Sequence, residues 1–351
     1  MRSEAKAMLN EGALIPAVPL ALDENRKFDE KRQRALIRYY LHAGAGGIAV
    51  AVHSTQFEIR LPEVDLFCAV VKTVLDEVGA FEKKNNKTII KISGVCGKTE
   101  QAASEARFAK ESGADAVLLS PGGLDGFDEA AMLERTKAIA KIIPVMGFYL
   151  QPAVGGRVFS ADYWKRLADI EGVAAIKCAP FDRYQTLELV RGVALSERRD
   201  EVALYTGNDD NILVDLLTEY EVNVGGREVK KRFVGGLLGH WAVWTKTAAD
   251  IFGKIKKYRS GPVPPELLTL AAKITDANAA FFDAANGYAG CIPGIHEVLR
   301  RQGIFGGTWC INPGEKLSPG QCEQIDRVYG SYPELNDDDF VRAHLHEWLD
   351  D

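Results

Sequence analysis

No CxxC spacing occurs among the six cysteines, Cys68, Cys96, Cys178, Cys291, Cys310 and Cys322, scattered through a chain of 351 residues. That scatter argues against a disulfide framework and a zinc site, and it fits reduced thiols in a cytoplasm. The six histidines are equally dispersed; His344 and His346 are two apart, so on a helix they point in different directions. No metal site is expected. No uninterrupted apolar stretch reaches bilayer length, and Met1-Arg2-Ser3-Glu4-Ala5-Lys6 lacks an apolar signal core. A membrane partner is therefore not expected. Nor is nucleic acid: 43 basic residues face 49 acidic ones for a net charge of −6, and the densest basic stretch, 227–232, is short and interrupted.

What the chain does have is alternation. Short apolar runs at 14–20, 47–52, 88–95, 115–120, 142–150, 173–179, 202–207 and 232–238 read as strands. Amphipathic stretches at 29–43, 62–78, 98–112, 128–141, 161–170, 184–195 and 209–219 read as helices between them. Eight strands, each followed by a helix, predict an α/β fold of the (β/α)8 TIM barrel type, and the strand count disfavours a doubly wound sheet. The run Gly44-Ala45-Gly46-Gly47 precedes a strand, so it reads as a helix C-cap and turn, not as a dinucleotide loop. Residues 1–260 make the catalytic barrel, with a surface loop or short hairpin inserted at 221–231. Residues 261–351 make a C-terminal helical extension packed on it, with helical periodicity at 272–285, 296–301, 319–329 and 338–349.

One residue interrupts this pattern chemically. Lys177 stands alone inside Val173-Ala174-Ala175-Ile176-Lys177-Cys178-Ala179-Pro180, a run that reads as a parallel strand buried on both faces. Burying an ammonium is costly, so the amine either reaches the strand's end or becomes more acidic. A neutral buried lysine is a nucleophile toward carbonyl carbon. Barrel active sites lie at strand ends, which makes the neighbouring ends candidates. The second strand ends in His53-Ser54-Thr55-Gln56, whose hydroxyls can hold a carboxylate or simply cap a helix. The fifth ends in Tyr149, a proton-transfer candidate or a core aromatic with a wet tip. The seventh ends in Thr206-Gly207-Asn208-Asp209 and the eighth in Gly235-Gly236-Leu237-Leu238-Gly239-His240, where glycine permits close ligand approach.

The order of these motifs resembles the dihydrodipicolinate synthase / N-acetylneuraminate lyase family of pyruvate-dependent class I aldolases. The resemblance runs from about residue 14 to 319 and rests on Gly147-Phe148-Tyr149 with Pro152 and Gly155, Gly172-Val173 with Ile176-Lys177, and Gly207-Asn208-Asp209. It implies that Lys177 forms a Schiff base with pyruvate or another 2-oxo acid, with no further cofactor, and that Tyr149 shuttles protons. The family's Gly-Thr-Thr-Gly-Glu segment falls on His53-Ser54-Thr55-Gln56-Phe57, so Ser54 and Thr55 would hold the carboxylate; a one-residue shift brings His53 into that role. Gly207, Asn208 and Gly236 complete the expected substrate-binding set.

Two departures bear on the substrate. Where the synthase has a Pro-Tyr-Tyr relay, this chain reads Ser120-Pro121-Gly122-Gly123, and where the synthase has an arginine after the strand-five tyrosine it reads Ala153-Val154, with Arg157 further on. The resemblance thus implies a Schiff-base lyase that is not the synthase proper, working in aldol cleavage or condensation. A 2-keto-3-deoxy sugar acid dehydratase using the same lysine is the alternative. A non-catalytic barrel binding a 2-oxo acid, or a phosphate ligand at the strand-seven and strand-eight glycines, is a third. By the same resemblance the protein is expected to be a homo-oligomer, dimer or tetramer.

Overall fold

The computed structural model describes residues 1–350. Its centre is a parallel barrel of β1 (Leu14–Pro16), β2 (Gly47–Val50), β3 (Ile90–Val95), β4 (Ala116–Leu119), β5 (Val145–Leu150), β6 (Val173–Ala179), β7 (Ala203–Thr206) and β10 (Phe233–Leu238). Neighbouring strands pair in the order β1-β10-β7-β6-β5-β4-β3-β2. The ring closes where the Val18 N–H donates to the Ala49 carbonyl at 2.9 Å and Ala17 bridges Ala49. Between β7 and β10 the antiparallel hairpin β8 (Tyr220–Val224) and β9 (Arg227–Lys231) turns at Gly225-Gly226, both at positive φ, in the stretch expected to be an insertion.

Helices α2 (Glu30–Ala43), α3 (Phe67–Asn85), α4 (Thr99–Glu111), α5 (Glu129–Ala140), α6 (Ala161–Asp169), α7 (Arg183–Leu195), α8 (Ile212–Leu217) and α9 (Thr245–Lys256) surround the barrel. Several begin on a side-chain cap: Asp29, Asp128, Ser160 and Asp182 each accept an N–H from the first turn. Gly44, at φ 104°, ends α2 in the left-handed conformation. Two helices depart from expectation. α3 starts at Phe67 and not near Pro62, because Val64 and Asp65 donate to the Leu61 carbonyl and hold 61–66 as a turn. α8 starts at Ile212, so Asp209 remains in the loop at the barrel's mouth.

The floor of the barrel is shut by α1 (Ser3–Glu11), a helix that hydrophobic patterning did not reveal. Ala5 and Leu9 insert among the inward residues Ile15, Ile90, Met146 and Ala175. Arg2 is clamped on Asp115 at 2.7 and 2.8 Å, and the Tyr205 hydroxyl donates to the Leu9 carbonyl while accepting from Ala13 N–H. Ligands must therefore enter from the opposite, C-terminal face.

The extension consists of α10 (Pro265–Phe281), α11 (Cys291–Arg301), α12 (Gln321–Ser331) and α13 (Asp338–Leu349). It shares one continuous apolar core with the barrel helices; Phe281, Val298 and Trp348 are buried in it with Tyr39 and Trp244. Asp337 ties the two parts together, accepting from the Tyr39 hydroxyl at 2.7 Å, Lys246 N–H at 2.9 Å and Gln302 Nε2 at 2.7 Å. Among the described residues no helix is long and apolar enough to cross a membrane, and no cluster of three His, Cys, Asp or Glu is arranged to hold a metal ion.

Candidate active site

At the C-terminal ends of the strands lies a cavity with about 70 Å³ open to water centres. One water needs only about 10–15 Å³ by that measure, so a small acid fits. Lys177 projects into it. The pairing of β5 with β6 sets Phe148 opposite Lys177, and the Phe148 ring centroid lies 4.5 Å from the Lys177 Nζ. Gly207 makes room for the lysine stem: a Cβ there would stand 2.4 Å from Lys177 Cε.

Burial drives the Lys177 amine well below the ordinary lysine range, with Asp209 pulling partly back. Asp209 forms part of the same wall, its Oδ1 accepting the His240 N–H at 2.8 Å. Burial raises its carboxyl well above the usual range, opposed by the His240 N–H and the Lys177 charge. Amine and acid thus move toward each other around neutral pH. His53, also on the wall, is lowered to about 4 by burial and then by Lys177, so its ring is neutral. The roof comes from the extension: Phe282, Tyr288, Cys291 and Ile295. A smaller void beside Trp241, Trp244 and Phe252, about 20 Å³, is almost wholly apolar and reads as imperfect packing.

Of the residues expected at the site, Lys177, His53, Ser54 and Gly207 line the cavity. Thr55 does not: its hydroxyl donates to the Val18 carbonyl at 2.6 Å and accepts from Val52 N–H, fixing the strand-two turn. Asn208 faces the β7–α8 junction, where Oδ1 accepts from Phe181 N–H and Nδ2 donates to Asp215 at 2.9 Å. Gly236 is needed for packing, since a Cβ there would meet the Trp241 ring at 2.7 Å. A Cβ on its neighbour Gly235 would stand 2.4 Å from the Ala13 carbonyl oxygen, so both glycines are needed for close packing against protein.

Tyr149 is the main correction. Successive strand residues face opposite ways, and with Phe148 inside, Tyr149 points to the helical layer. Its ring lies 4.9 Å from that of Trp164, and its hydroxyl donates to Gln185 Oε1 at 2.8 Å. Val154 does line the cavity, while Arg157 is spent on the Leu124 and Phe127 carbonyls. Gln56 accepts the Ile311 N–H, tying the turn to the extension. The ring of His240 stacks near Phe281, so its contribution to the site is the main-chain N–H.

A model of the dihydrodipicolinate synthetase family matches residues 10–225. The chain belongs to that family. Within it, a 4-hydroxy-tetrahydrodipicolinate synthase of Chlorobium phaeobacteroides is 25% identical over 211 residues, 60% of this chain and 66% of that protein. A probable 5-dehydro-4-deoxyglucarate dehydratase of Pseudarthrobacter chlorophenolicus is 29% identical over 140 residues, 40% of this chain and 42% of its own. An N-acetylneuraminate lyase of Citrobacter koseri is 25% identical over 215 residues, covering 60% and 67%. The chain thus spans 42–67% of the length of these relatives. Among solved structures, N-acetylneuraminate lyase from Fusobacterium nucleatum complexed with pyruvate superposes at TM-score 0.71 with 17% identity over 93% of this chain and 99% of that one. Dihydrodipicolinate synthase from Oceanobacillus iheyensis gives 0.72, also at 17%, over 94% and 99%. At that identity the likeness establishes the fold, a TIM barrel of this family.

Proposed function

We propose that this protein is an enzyme that binds a 2-oxo acid such as pyruvate covalently, as an imine on Lys177, and makes or breaks the C3–C4 bond of the adduct. The observation that carries the reading is the Lys177 amine, buried in the cavity at the strands' C-terminal ends and made more acidic there. An ordinary lysine is only about 0.04% free amine at pH 7, and each unit of lowering multiplies that tenfold. The family kinship adds support, since the relatives are named as synthase, lyase and dehydratase.

Attack of Nζ on C2 gives a carbinolamine, and loss of water gives an iminium that draws electron density from C3. The carbanion adds to an aldehyde, or forms when the C3–C4 bond breaks. No other cofactor is required, because the iminium is itself the electron sink. His53 and Ser54 share the cavity wall with Lys177, the Ser54 hydroxyl donating to the Val18 carbonyl at 3.2 Å, and in this reading they hold the acid's carboxylate and so fix C3 relative to the lysine. Beyond them the wall is largely apolar, with Leu118, Leu150, Val154, Phe181, Phe282 and Ile295. That lining favours a neutral, apolar second reactant. The dehydratase relative keeps a second reading in view, loss of a C4 hydroxyl from the same imine.

Borohydride trapping with pyruvate, followed by intact mass and peptide mapping, tests the proposal. A reduced three-carbon adduct on Lys177 is expected. Absence of any adduct, under conditions that label a known Schiff-base aldolase, overturns it.

A further inference from the structure

Imine formation needs a proton for the departing C2 oxygen, and the enamine that follows needs a base for a C3 proton. The tyrosine expected there faces away, bound to Gln185, and a phenylalanine occupies the position opposite the lysine. The other titratable side chains on the cavity wall are His53, Asp209, Tyr288 and Cys291. His53 is neutral, lowered to about 4, and gives up a proton only from a form scarcely populated at pH 7. Burial holds the Tyr288 hydroxyl and the Cys291 thiol above their ordinary values, so both stay protonated and are poor bases.

Asp209 differs from all of these. It begins the turn after β7, is 5% exposed, and one carboxyl oxygen is pinned by the His240 N–H at 2.8 Å. Gly207, two residues earlier, is the residue against which the Lys177 stem lies. Acid and amine therefore share one corner of the cavity, held by rigid strand ends. We propose that Asp209 is the acid–base catalyst of this site, doing the proton transfers that a strand-five tyrosine would otherwise do. The proposal rests on the Schiff-base reading of Lys177.

The proton count closes. Nζ bonds to C2 and the carbonyl electron pair moves to oxygen, which takes the proton of the Asp209 carboxyl. The carboxylate then takes a proton from the adduct nitrogen. It returns that proton to the hydroxyl as the C–O bond breaks, the nitrogen pair forms C=N, and water leaves. The carboxylate so produced removes a C3 proton, leaving the enamine and a protonated Asp209. Burial keeps the Asp209 carboxyl raised toward neutrality, where a group that must both give and take a proton works best. The charged or titratable groups around it are Lys177 from β6, His53 from the strand-two turn, Asp210 beside it, and Tyr288 and Cys291 from the extension.

The test measures exchange of pyruvate C3 protons with solvent deuterium by NMR, from pH 6 to 9, alongside borohydride trapping, for wild type, Asp209→Asn and Tyr149→Phe. Asparagine keeps the shape and an acceptor for the His240 N–H. Acid–base catalysis contributes about 10²–10⁴-fold, so the exchange maximum of D209N is expected to fall at least about 100-fold at every pH. A merely electrostatic Asp209 gives the opposite sign. Losing its charge makes Lys177 still more acidic, which moves the profile to lower pH with its maximum intact, and that result overturns the proposal. Loss in Y149F equal to that in D209N also overturns it. The wild-type profile needs no variant: limbs from both groups are expected, and a single limb is against the idea. Wild type that traps no pyruvate sinks the Schiff-base reading itself, whereas trapping with an unimpaired D209N sinks only the role of Asp209.

Discussion

Gly207→Ala is the substitution whose consequence the geometry dictates most directly. The new Cβ would stand 2.4 Å from Lys177 Cε, 3.1 Å from its Cγ and 2.8 Å from the Ala179 Cβ. Non-bonded carbons settle at about 3.5–4.0 Å, and Ala179 is fixed on β6, so the lysine stem must retreat by about 1 Å or more. A displacement of that size at a reacting atom costs on the order of 100-fold in rate, roughly 2.7 kcal/mol of barrier. The strain also destabilises the fold by about 1–3 kcal/mol, as small-to-large changes in packed sites do. The assay is the rate of borohydride-trapped pyruvate adduct by intact mass, with a melting curve on the same sample. Gly236→Ala is the control, because its Cβ would meet the Trp241 ring at 2.7 Å away from the cavity. Both variants should melt earlier, but only G207A should lose trapping. If folded G207A traps pyruvate at the wild-type rate, the lysine does not lie across residue 207 and the described site is wrong.

Phe148→Leu removes the ring 4.5 Å from Nζ. The ring favours the charged amine by about 0.5–2 kcal/mol, so its loss should move the acidic limb of the trapping profile down by about 0.4–1.5 pH units; an upward move refutes the contact. Glu315 gives a stability prediction. Burial, then Glu58, raises its carboxyl to about 7. The folded state binds more protons than the unfolded chain between about pH 4.5 and 7, so stability is fully present below that window and falls as pH rises through it. Discounted for partial exposure, the loss is about 1–2 kcal/mol. Glu315→Gln should therefore be more stable than wild type by that amount at pH 8 and no more stable at pH 4.5, by denaturant titration. Equal stability at pH 8 refutes the assignment.

The strands were legible because barrel strands are buried on both faces and read as apolar runs; each expected run contains the observed strand, from β1 to β10. Lys177 was legible for the same reason, as a charge in the middle of a run whose strand is buried at every position, whereas Lys91 in β3 is only partly buried and pairs with Glu82. Tyr149 was not placed, since an unbroken apolar strand hides which side chains face inward. β5 and β6 also shift register between Val145 and Met146, and a slip of one residue exchanges the two faces. Asp209 stood in view within Thr206-Gly207-Asn208-Asp209, but only the fold separates it from Asn208, which turns to Asp215. The roof residues Phe282, Tyr288, Cys291 and Ile295 had no local signal at all. They reach the cavity because α10 ends at Phe281 and the chain doubles back across the barrel's mouth into α11. For α10 a signal was present: Pro265 opens the helix, a position proline favours.

The roof also bears on what reacts with the imine. A polyhydroxylated sugar acid carries several hydroxyls past the carboxylate, and each one buried without a partner costs about 1–3 kcal/mol. Against that need the distal wall sets Leu118, Leu150, Val154, Phe282 and Ile295, with Gln151 and Tyr288 as its polar side chains beyond the lysine corner. Two such groups can satisfy one or two hydroxyls, so a longer sugar chain meets a deficit of several kcal/mol that an alkyl or aryl group avoids. The comparison is direct: 4-hydroxy-2-oxo acids bearing alkyl or aryl tails against 2-keto-3-deoxy sugar acids, with pyruvate release followed enzymatically. Faster pyruvate release from the apolar series, by roughly tenfold or more in kcat/KM, is expected from even 1.4 kcal/mol of that difference. Consumption of the sugar acid without pyruvate release would mean dehydration at C4, and the apolar wall would then not be the surface that selects the substrate.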